Sequence, residues 1–264
     1  MLLTIDVSNT TIKAGVFRGE TLLADWRVAT ERHKLADEYG ILLLSLFQAS
    51  GVSAREITGV AISCVVPPLR SVFDQVSRRY LHVAPILVGP DINSGIKLSV
   101  DNPSEVGADR VVNVVATHRL YGGPSIAIAF GTATVFDCVS ATGEYLGGAI
   151  APGMVGALES LTRSAAQLYQ VELLRPPKAI GTNTVHTMQS GLVLGYAGLV
   201  EGLVQRLKGE IVPPGSDARV TVIATGGLAD VIAPETAVID VVDQYLTLKG
   251  LRLIYELNRP PEAP

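Results

Sequence analysis

The chain has 264 residues, of which 48% are hydrophobic and 17% are charged, a composition typical of a globular protein with one large domain or two ordinary ones. No apolar run reaches the ~20 residues that a membrane-spanning helix requires, and a formal net charge of −4 argues against a basic surface for nucleic acid. The N-terminus is strand-like and lacks a signal-peptide pattern, so we predict a cytoplasmic protein that binds neither membranes nor nucleic acid.

The first half of the chain predicts the element order βββαβα. Apolar, β-branched runs indicate the strands, and helical spacing of apolar residues indicates the first helix. Gly19-Glu20 supplies a hairpin turn, and Pro67-Pro68 ends the fourth strand before the second helix. The predicted elements are strands over residues 2–7, 11–18 and 21–28, a helix over 36–50, a strand over 57–65 and a helix of about ten residues.

The second half repeats this order after a loop-rich connection. Residues 89–103 are predicted as loop with at most one short strand, and residues 104–120 as helix. Because strands then alternate with helices, we predict an α/β fold with mixed sheets. The later predicted elements are strands over 125–130, 134–139 and 144–150, a helix after Pro152-Gly153, a helix over 185–207, a strand over 219–225, a short helix, a short strand near 237–241 and a helix over 247–257.

Each half contains a similar strand-turn-strand segment. Residues 5–12 and 128–135 both bring an apolar run to a turn of small hydroxyl, amide or glycine residues and then leave along a second apolar run. Such turns expose backbone N–H groups and short hydroxyls that can bind anionic oxygens. The pair predicts that two half-domains hold the phosphates of one nucleotide. The copies differ where Asp6 of the first corresponds to Ala129 of the second.

The domain boundary is predicted within or just after the helix at 104–120. This gives an N-terminal domain over residues 1–117 and a C-terminal domain over residues 118–264. Two domains with the same element order predict an internal duplication around a nucleotide cleft. The terminal segment 259–264 is proline-rich and has no predicted role.

Seven fragments of the sequence, taken in order, resemble the type III pantothenate kinases. Any one of them would be a weak signal, but seven in the same order are strong, and together they cover essentially the whole chain. The fragments are Asp6-Val7-Ser8-Asn9-Thr10-Thr11-Ile12-Lys13, Ala36-Asp37-Glu38-Tyr39, Ser63-Cys64-Val65-Val66-Pro67-Pro68, Asp101-Asn102-Pro103 with Gly107-Ala108-Asp109-Arg110, Phe130-Gly131-Thr132-Ala133-Thr134, Gly147-Gly148 to Pro152-Gly153, and Met188-Gln189-Ser190-Gly191.

The resemblance implies both a fold and an activity. The family belongs to the actin, sugar-kinase and heat-shock ATPase superfamily, whose members have two duplicated ribonuclease-H-like domains around a nucleotide cleft. Its members phosphorylate pantothenate with ATP, giving 4′-phosphopantothenate in the first step of coenzyme A biosynthesis. They are homodimers, use Mg²⁺ with ATP, and are activated by a monovalent cation, K⁺ or NH4⁺.

The resemblance also implies which residues bind ATP. Asp6 would face the magnesium, directly or through water, although an aspartate before a turn also serves as a simple turn cap. The Gly226-Gly227 pair would let adenosine approach the backbone, and an ordinary strand-to-helix turn remains an alternative for it. The remaining implied phosphate contacts are Ser8, Asn9, Thr10, Lys13, Gly131 and Thr132. Lys13 lies on a predicted strand, and a solvated side chain is the alternative for it.

For the substrate, the resemblance implies that Asp109 is the general base that accepts the pantothenate hydroxyl proton. Stabilisation of a helix N-terminus is the alternative role for this carboxylate. Val100 and the stretch Gly107, Ala108 and Arg110 would line the substrate pocket, and an ion pair with Asp109 is the alternative role for Arg110. Thr184 would reach pantothenate from the neighbouring subunit, and it also suits a helix N-cap.

Three positions depart from the family pattern. Ser8 replaces a glycine in the first turn, and Val100 replaces a tyrosine beside the substrate. Ala129 replaces an aspartate that helps to bind the monovalent cation, which removes a hard oxygen ligand. Two alternatives therefore stay open: a catalytically impaired homologue that acts as a ligand-sensing or regulatory protein, and an ATPase or sugar kinase with another substrate.

Overall fold

The computed structural model describes residues 1–89, 91–212, 215 and 218–259. The strands are β1 (Leu2–Val7), β2 (Thr11–Arg18), β3 (Thr21–Ala29), β4 (Gly59–Cys64), β5 (Ile86–Leu87), β6 (Ser125–Phe130), β7 (Ala133–Val139), β8 (Tyr145–Pro152), β9 (Thr221–Thr225) and β10 (Val241–Val242). The helices are α1 (Ala36–Ala49), α2 (Pro67–Val76), α3 (Ala108–Tyr121), α4 (Met154–Ser164), α5 (Thr184–Gln189), α6 (Gly195–Ile211), α7 (Ala229–Ile232) and α8 (Leu246–Asn258).

The two predicted half-domains share one topology. The first sheet has the strand order β3-β2-β1-β4-β5, and the second has the matching order β8-β7-β6-β9-β10. In each sheet the first three strands of the half are antiparallel and the fourth pairs in parallel with the first. The structure therefore confirms the predicted α/β fold with two mixed sheets, and the equivalent strand positions confirm the duplication.

The central strand of each half is buried on both faces. In β1, Leu3 and Ile5 point into an apolar core with α1 and α2, while Thr4 and Asp6 point to the opposite face. In β6, Ile128 occupies the position that Ile5 has in β1. An aspartate in such a strand is therefore surrounded by protein, and this burial affects the pKa of its carboxyl group.

The chain divides into two compact units. The first contains the described residues within 1–96, 101–116 and 246–259, and the second contains those within 97–100 and 117–245. The division after residue 116 lies close to the predicted boundary at 117/118. The predicted C-terminal domain included the last helix, whereas α8 packs against β1, β2 and β4 and so belongs to the first unit.

Several predicted elements differ in detail. The helix predicted over 185–207 is α5 followed by a π-helical segment, Ser190–Leu194, and then α6. The short strand predicted near 237–241 is found at Val241–Val242, and β5 was not predicted, because two-residue strands give no periodic signal. The predicted tail, residues 259–264, lies outside the described residues beyond position 259.

No helix in the described part of the chain combines the length and apolar character needed to cross a membrane.

Candidate active site

A row of side chains crosses the first sheet at the end of β1. Asp6 is the register partner of Lys13 on β2 and of Ser63 on β4, and Lys13 is in turn the partner of Arg27 on β3. Register partners project from the same face of a sheet. The strand pairing thus places a carboxylate and two cationic side chains in one line beside the first turn.

Asp6 is a strongly perturbed carboxyl group. It is 3% exposed, and burial raises its pKa to about 6, with a further contribution from the negative charge of Asp109. The positive charge of Lys13 and a hydrogen bond from Ser8 oppose this effect. Ser8 Oγ donates to Asp6 Oδ2 over 3.2 Å, while the buried Asp6 Oδ1 accepts no hydrogen bond from the described residues.

The first turn holds Ser8, Asn9 and Thr10 at the surface end of β1. The backbone N–H of Ser8 donates to Thr11 O, and Ser8 adopts a negative φ, so the turn does not need the glycine that is usual in the family. Asn9 and Thr10 are exposed. Lys13, by contrast, is half-buried. Burial lowers the pKa of its ammonium group, and the negative charge of Asp6 opposes that change.

Asp109 lies in the first turn of α3, within the same unit as Asp6. Its Oδ1 accepts a hydrogen bond of 2.9 Å from the backbone N–H of Arg110, which gives the helix-terminus role a structural basis. Burial raises the pKa of Asp109, and the N–H and charge of Arg110 oppose the rise. Gly107 precedes the helix, and a Cβ there would lie 2.6 Å from Asp109 Oδ1. The glycine therefore leaves room for the carboxylate.

The second turn, Gly131-Thr132, lies in the second unit. The start of α4 packs against it. Gly131 N donates to Ala133 O, and Gly153 N donates to Thr132 O. A Cβ on Gly153 would lie 2.4 Å from the backbone oxygens of both Gly131 and Thr132, so this glycine permits α4 to begin directly against the turn. Gly131 and Thr132 are exposed.

The Gly226-Gly227 turn follows β9 in the second unit. Gly226 has φ +97°, and a Cβ on it would lie 2.4 Å from Phe130 O, so the turn packs tightly against the end of β6. Gly227 has open space around its Cα. One glycine is thus required by the fold, and the other leaves its backbone accessible.

Ala129 is half-buried on β6, opposite Thr225 on β9. The Thr225 hydroxyl is buried and has no hydrogen-bond partner among the described residues. It is an oxygen atom beside the position of the missing carboxylate, and the sequence pattern did not reveal it because 95 residues lie between Ala129 and Thr225.

Val100 belongs to a short segment, residues 97–100, that pairs with the edge of β8 in the second unit. Ser99 N donates to Tyr145 O over 2.8 Å, and Tyr145 N donates to Lys97 O over 2.9 Å. Val100 Cγ1 lies 3.6 Å from the position that a Cβ on Gly147 would take. The structure therefore places Val100 in a different unit from Asp109.

Thr184 is the first residue of α5, and the N-cap is Asn183, whose Oδ1 accepts from His186 N over 2.9 Å. The alternative of Thr184 as an N-cap is therefore wrong. Thr184 lines an open cavity of about 740 Å³ in the second unit, together with Leu161 and Met188. This cavity does not include Asp6 or Asp109.

The first turn also carries contacts that the motifs did not predict. Thr30, in the loop after β3, hydrogen-bonds to the backbone of Ser8 and Thr10, and Arg32 hydrogen-bonds to the side chain of Asn9. These residues are 20 or more positions away from the turn, and no local pattern links them to it. Only the return of β3 along β2 brings them together.

Comparison with known proteins identifies the family. The family model described as type III pantothenate kinase matches residues 2–206. The chain belongs to the type III pantothenate kinase family. The type III pantothenate kinase of Roseiflexus castenholzii is 58% identical over 259 residues, covering 98% of this chain and 100% of the relative. That of Moorella thermoacetica is 49% identical over 258 residues, with coverage of 98% and 100%.

A solved structure shows the same fold at low sequence identity. The inorganic polyphosphate/ATP-glucomannokinase from Arthrobacter sp. strain KM is 15% identical, with a TM-score of 0.52, covering 98% of this chain and 99% of that one. This likeness concerns the fold alone. It agrees with the predicted class of two α/β domains.

Magnesium fits the residues present in the first unit. Asp6 Oδ1 is a buried oxygen without a partner in the described chain, and the negative charge of Asp109 contributes to the raised pKa of Asp6. A divalent cation prefers such hard oxygen ligands. No cluster of three or more His, Cys, Asp or Glu side chains suited to a metal occurs among the described residues, so the other ligands would be water and nucleotide oxygens.

Proposed function

We propose that this protein transfers the γ-phosphoryl group of ATP to the terminal hydroxyl of pantothenate, giving 4′-phosphopantothenate and ADP, the first step of coenzyme A biosynthesis. The observation that carries the proposal is the buried Asp6 carboxylate, whose Oδ1 has no partner among the described residues and which lies beside the Ser8-Asn9-Thr10 turn in the same unit as Asp109. Membership of the family supports the choice of substrate.

Asp109 acts as the general base. The pantothenate oxygen forms a new bond to the γ-phosphorus, the bond from that phosphorus to the bridging oxygen of ADP breaks, and the hydroxyl proton passes to the Asp109 carboxylate. Burial raises the pKa of Asp109, which makes its carboxylate a stronger base than an exposed one. Gly107 and the backbone N–H of Arg110 hold this carboxylate in place.

The remaining contacts follow the family pattern. Asp6 would hold Mg²⁺, directly or through water, and the ion would neutralise phosphate oxygens when bound. Ser8, Asn9, Thr10 and Lys13 bind phosphate in the first unit, as Gly131 and Thr132 do in the second, where Gly226-Gly227 binds adenosine. Gly107, Ala108, Arg110 and Val100 bind pantothenate. The protein is a homodimer in which Thr184 of the partner subunit reaches the pantothenate.

The test is a coupled assay of ADP release by purified protein with Mg²⁺, ATP and pantothenate, with the product identified by mass spectrometry. Pantothenate-dependent ADP release and the mass of 4′-phosphopantothenate are expected. A folded protein that binds ATP but forms no product would contradict the proposal and favour the impaired, ligand-sensing homologue. Turnover of a different small alcohol instead would favour another kinase activity.

A further inference from the structure

The loop that follows β3, residues 30–34, lies against the first turn. Thr30 N donates to Thr10 O over 3.0 Å, and Thr30 Oγ1 donates to Ser8 O over 2.7 Å. Two hydrogen bonds from one residue to both sides of Asn9 fix the start of the loop relative to the turn.

The next residue is fixed from the other side by helix α1. Glu31 N donates to Tyr39 Oη over 2.9 Å, and Tyr39 Oη donates to Glu31 O over 3.0 Å. Tyr39 is 3% exposed and packs on Phe73 in the apolar core. Because the core holds Tyr39, the backbone that enters position 32 is held as well.

Arg32 extends from this anchored loop to the turn. Its Nη2 donates to Asn9 Oδ1 over 3.0 Å, and both side chains are exposed. The amide oxygen is uncharged, and Arg32 forms no ion pair within the described chain. The guanidinium therefore presents an uncompensated positive charge and further N–H donors at the turn.

Lys13 lies deeper at the same turn than Arg32. Its side chain is half-buried on β2, where Lys13 is the register partner of Asp6. Arg32 is exposed and therefore adds a second cation at the turn surface. The polyphosphate of a nucleotide carries several negative charges and is best matched by an arginine fork.

We propose that Arg32 is a further phosphate-binding residue of the first turn, with its guanidinium bound to polyphosphate oxygens of ATP. The inference rests on the proposed function, since it concerns the same nucleotide. It differs from a merely structural role, in which the Arg32–Asn9 hydrogen bond only orders the turn. The two roles predict different dependence on the number of phosphates in the ligand.

Calorimetric titration separates these roles. The proteins compared are wild type, Arg32→Gln, Arg32→Lys and the control Arg18→Gln, and the probes are ATP, ADP and AMP with Mg²⁺. Arg18 is an exposed arginine of the same unit whose ion-pair partner is Glu56. A charged hydrogen bond of about 1.5–3 kcal/mol corresponds to a loss of about 10- to 100-fold in affinity, which is expected for Arg32→Gln with ATP.

The loss should shrink for ADP and again for AMP, and Arg32→Lys should lie between wild type and Arg32→Gln. The Arg18→Gln control should bind all three nucleotides as wild type does. Unchanged ATP affinity in Arg32→Gln, or an equal loss for ATP and AMP, would overturn the inference. If wild type itself binds no ATP, the proposed function fails instead. Thermal melts of all four proteins establish that each is folded.

Discussion

The carboxylate of Asp109 occupies space that only a glycine at position 107 leaves open. A Cβ on Gly107 would lie 2.6 Å from Asp109 Oδ1 and 3.7 Å from Val65 Cγ1. The conflict involves the end of a flexible side chain and no backbone atom, so the fold can adjust more easily than the catalytic geometry can.

Replacement of Gly107 by alanine should therefore separate activity from stability. The Asp109 carboxylate must move, and a shift of about 1 Å at a catalytic group can lower kcat about 100-fold. The free energy of unfolding should change by less than about 1 kcal/mol. Steady-state kinetics and urea unfolding measure the two quantities.

The matched control is Gly209→Ala on α6, where an added Cβ has open space. This variant should keep the wild-type kcat. A Gly107→Ala enzyme with unchanged kcat would show that the position of Asp109 does not matter for turnover.

Asp6→Asn should stabilise the metal-free protein at high pH. The pKa of Asp6 is raised to about 6, so the carboxyl contributes stability below its unfolded pKa, and that contribution is lost as the pH rises through about 6. Two pKa units correspond to about 3 kcal/mol. The variant should be more stable than wild type at pH 8 by up to about this amount, and the gain should shrink towards pH 4.

Urea unfolding without Mg²⁺ at several pH values measures this difference. Asp91→Asn makes the same carboxylate-to-amide change at an exposed position and serves as the matched control. A pH-independent difference between Asp6→Asn and wild type would argue against a desolvated carboxylate at this position.

The two glycines of the Gly226-Gly227 turn should respond differently to replacement by alanine. Gly226→Ala places a Cβ against Phe130 O at φ +97°, and a loss of stability of at least about 2 kcal/mol is expected. Gly227→Ala has open space and should keep wild-type stability, but it should raise the KM for ATP if adenosine approaches the backbone there. An unchanged KM for ATP in a stable Gly227→Ala variant would remove that contact from the proposal.

Potassium should have little effect on turnover. Ala129 supplies no carboxylate, and the nearby Thr225 hydroxyl is a single neutral oxygen. Hard cations need several oxygen ligands, of which a charged one contributes most to affinity. Turnover in K⁺ or NH4⁺ should therefore equal turnover in Na⁺ at the same ionic strength, and Ala129→Asp should introduce a dependence on K⁺. Strong stimulation of the wild-type enzyme by K⁺ would show that other oxygens complete the site.

Sequence patterns predicted the strands of the first half closely, because β1 to β4 are long, apolar and separated by clear turn residues. They could not assign α8 to the first unit, since its place depends on packing against strands more than 180 residues earlier. They also missed the π-helical break before α6, because its apolar spacing continues through Ser190–Leu194.

The residues of the candidate site also fall into those that the sequence could predict and those that it could not. Asp6 and Asp109 could be selected from motifs, because each stands in a distinctive local pattern. Arg32 and Thr225 could not, since their relevance comes from strand pairing and loop return between distant segments. The effect of the Asp109 charge on the pKa of Asp6 likewise depends on the fold, because the two residues are 103 positions apart in the sequence.

The Asp109→Asn variant tests most directly whether Asp109 accepts the substrate proton. Pantothenate-dependent formation of 4′-phosphopantothenate is measured alongside calorimetric binding of ATP with Mg²⁺. We expect turnover to fall at least about 100-fold, in line with the loss of a general base, while ATP affinity stays close to that of wild type. Wild-type turnover in Asp109→Asn would contradict the account.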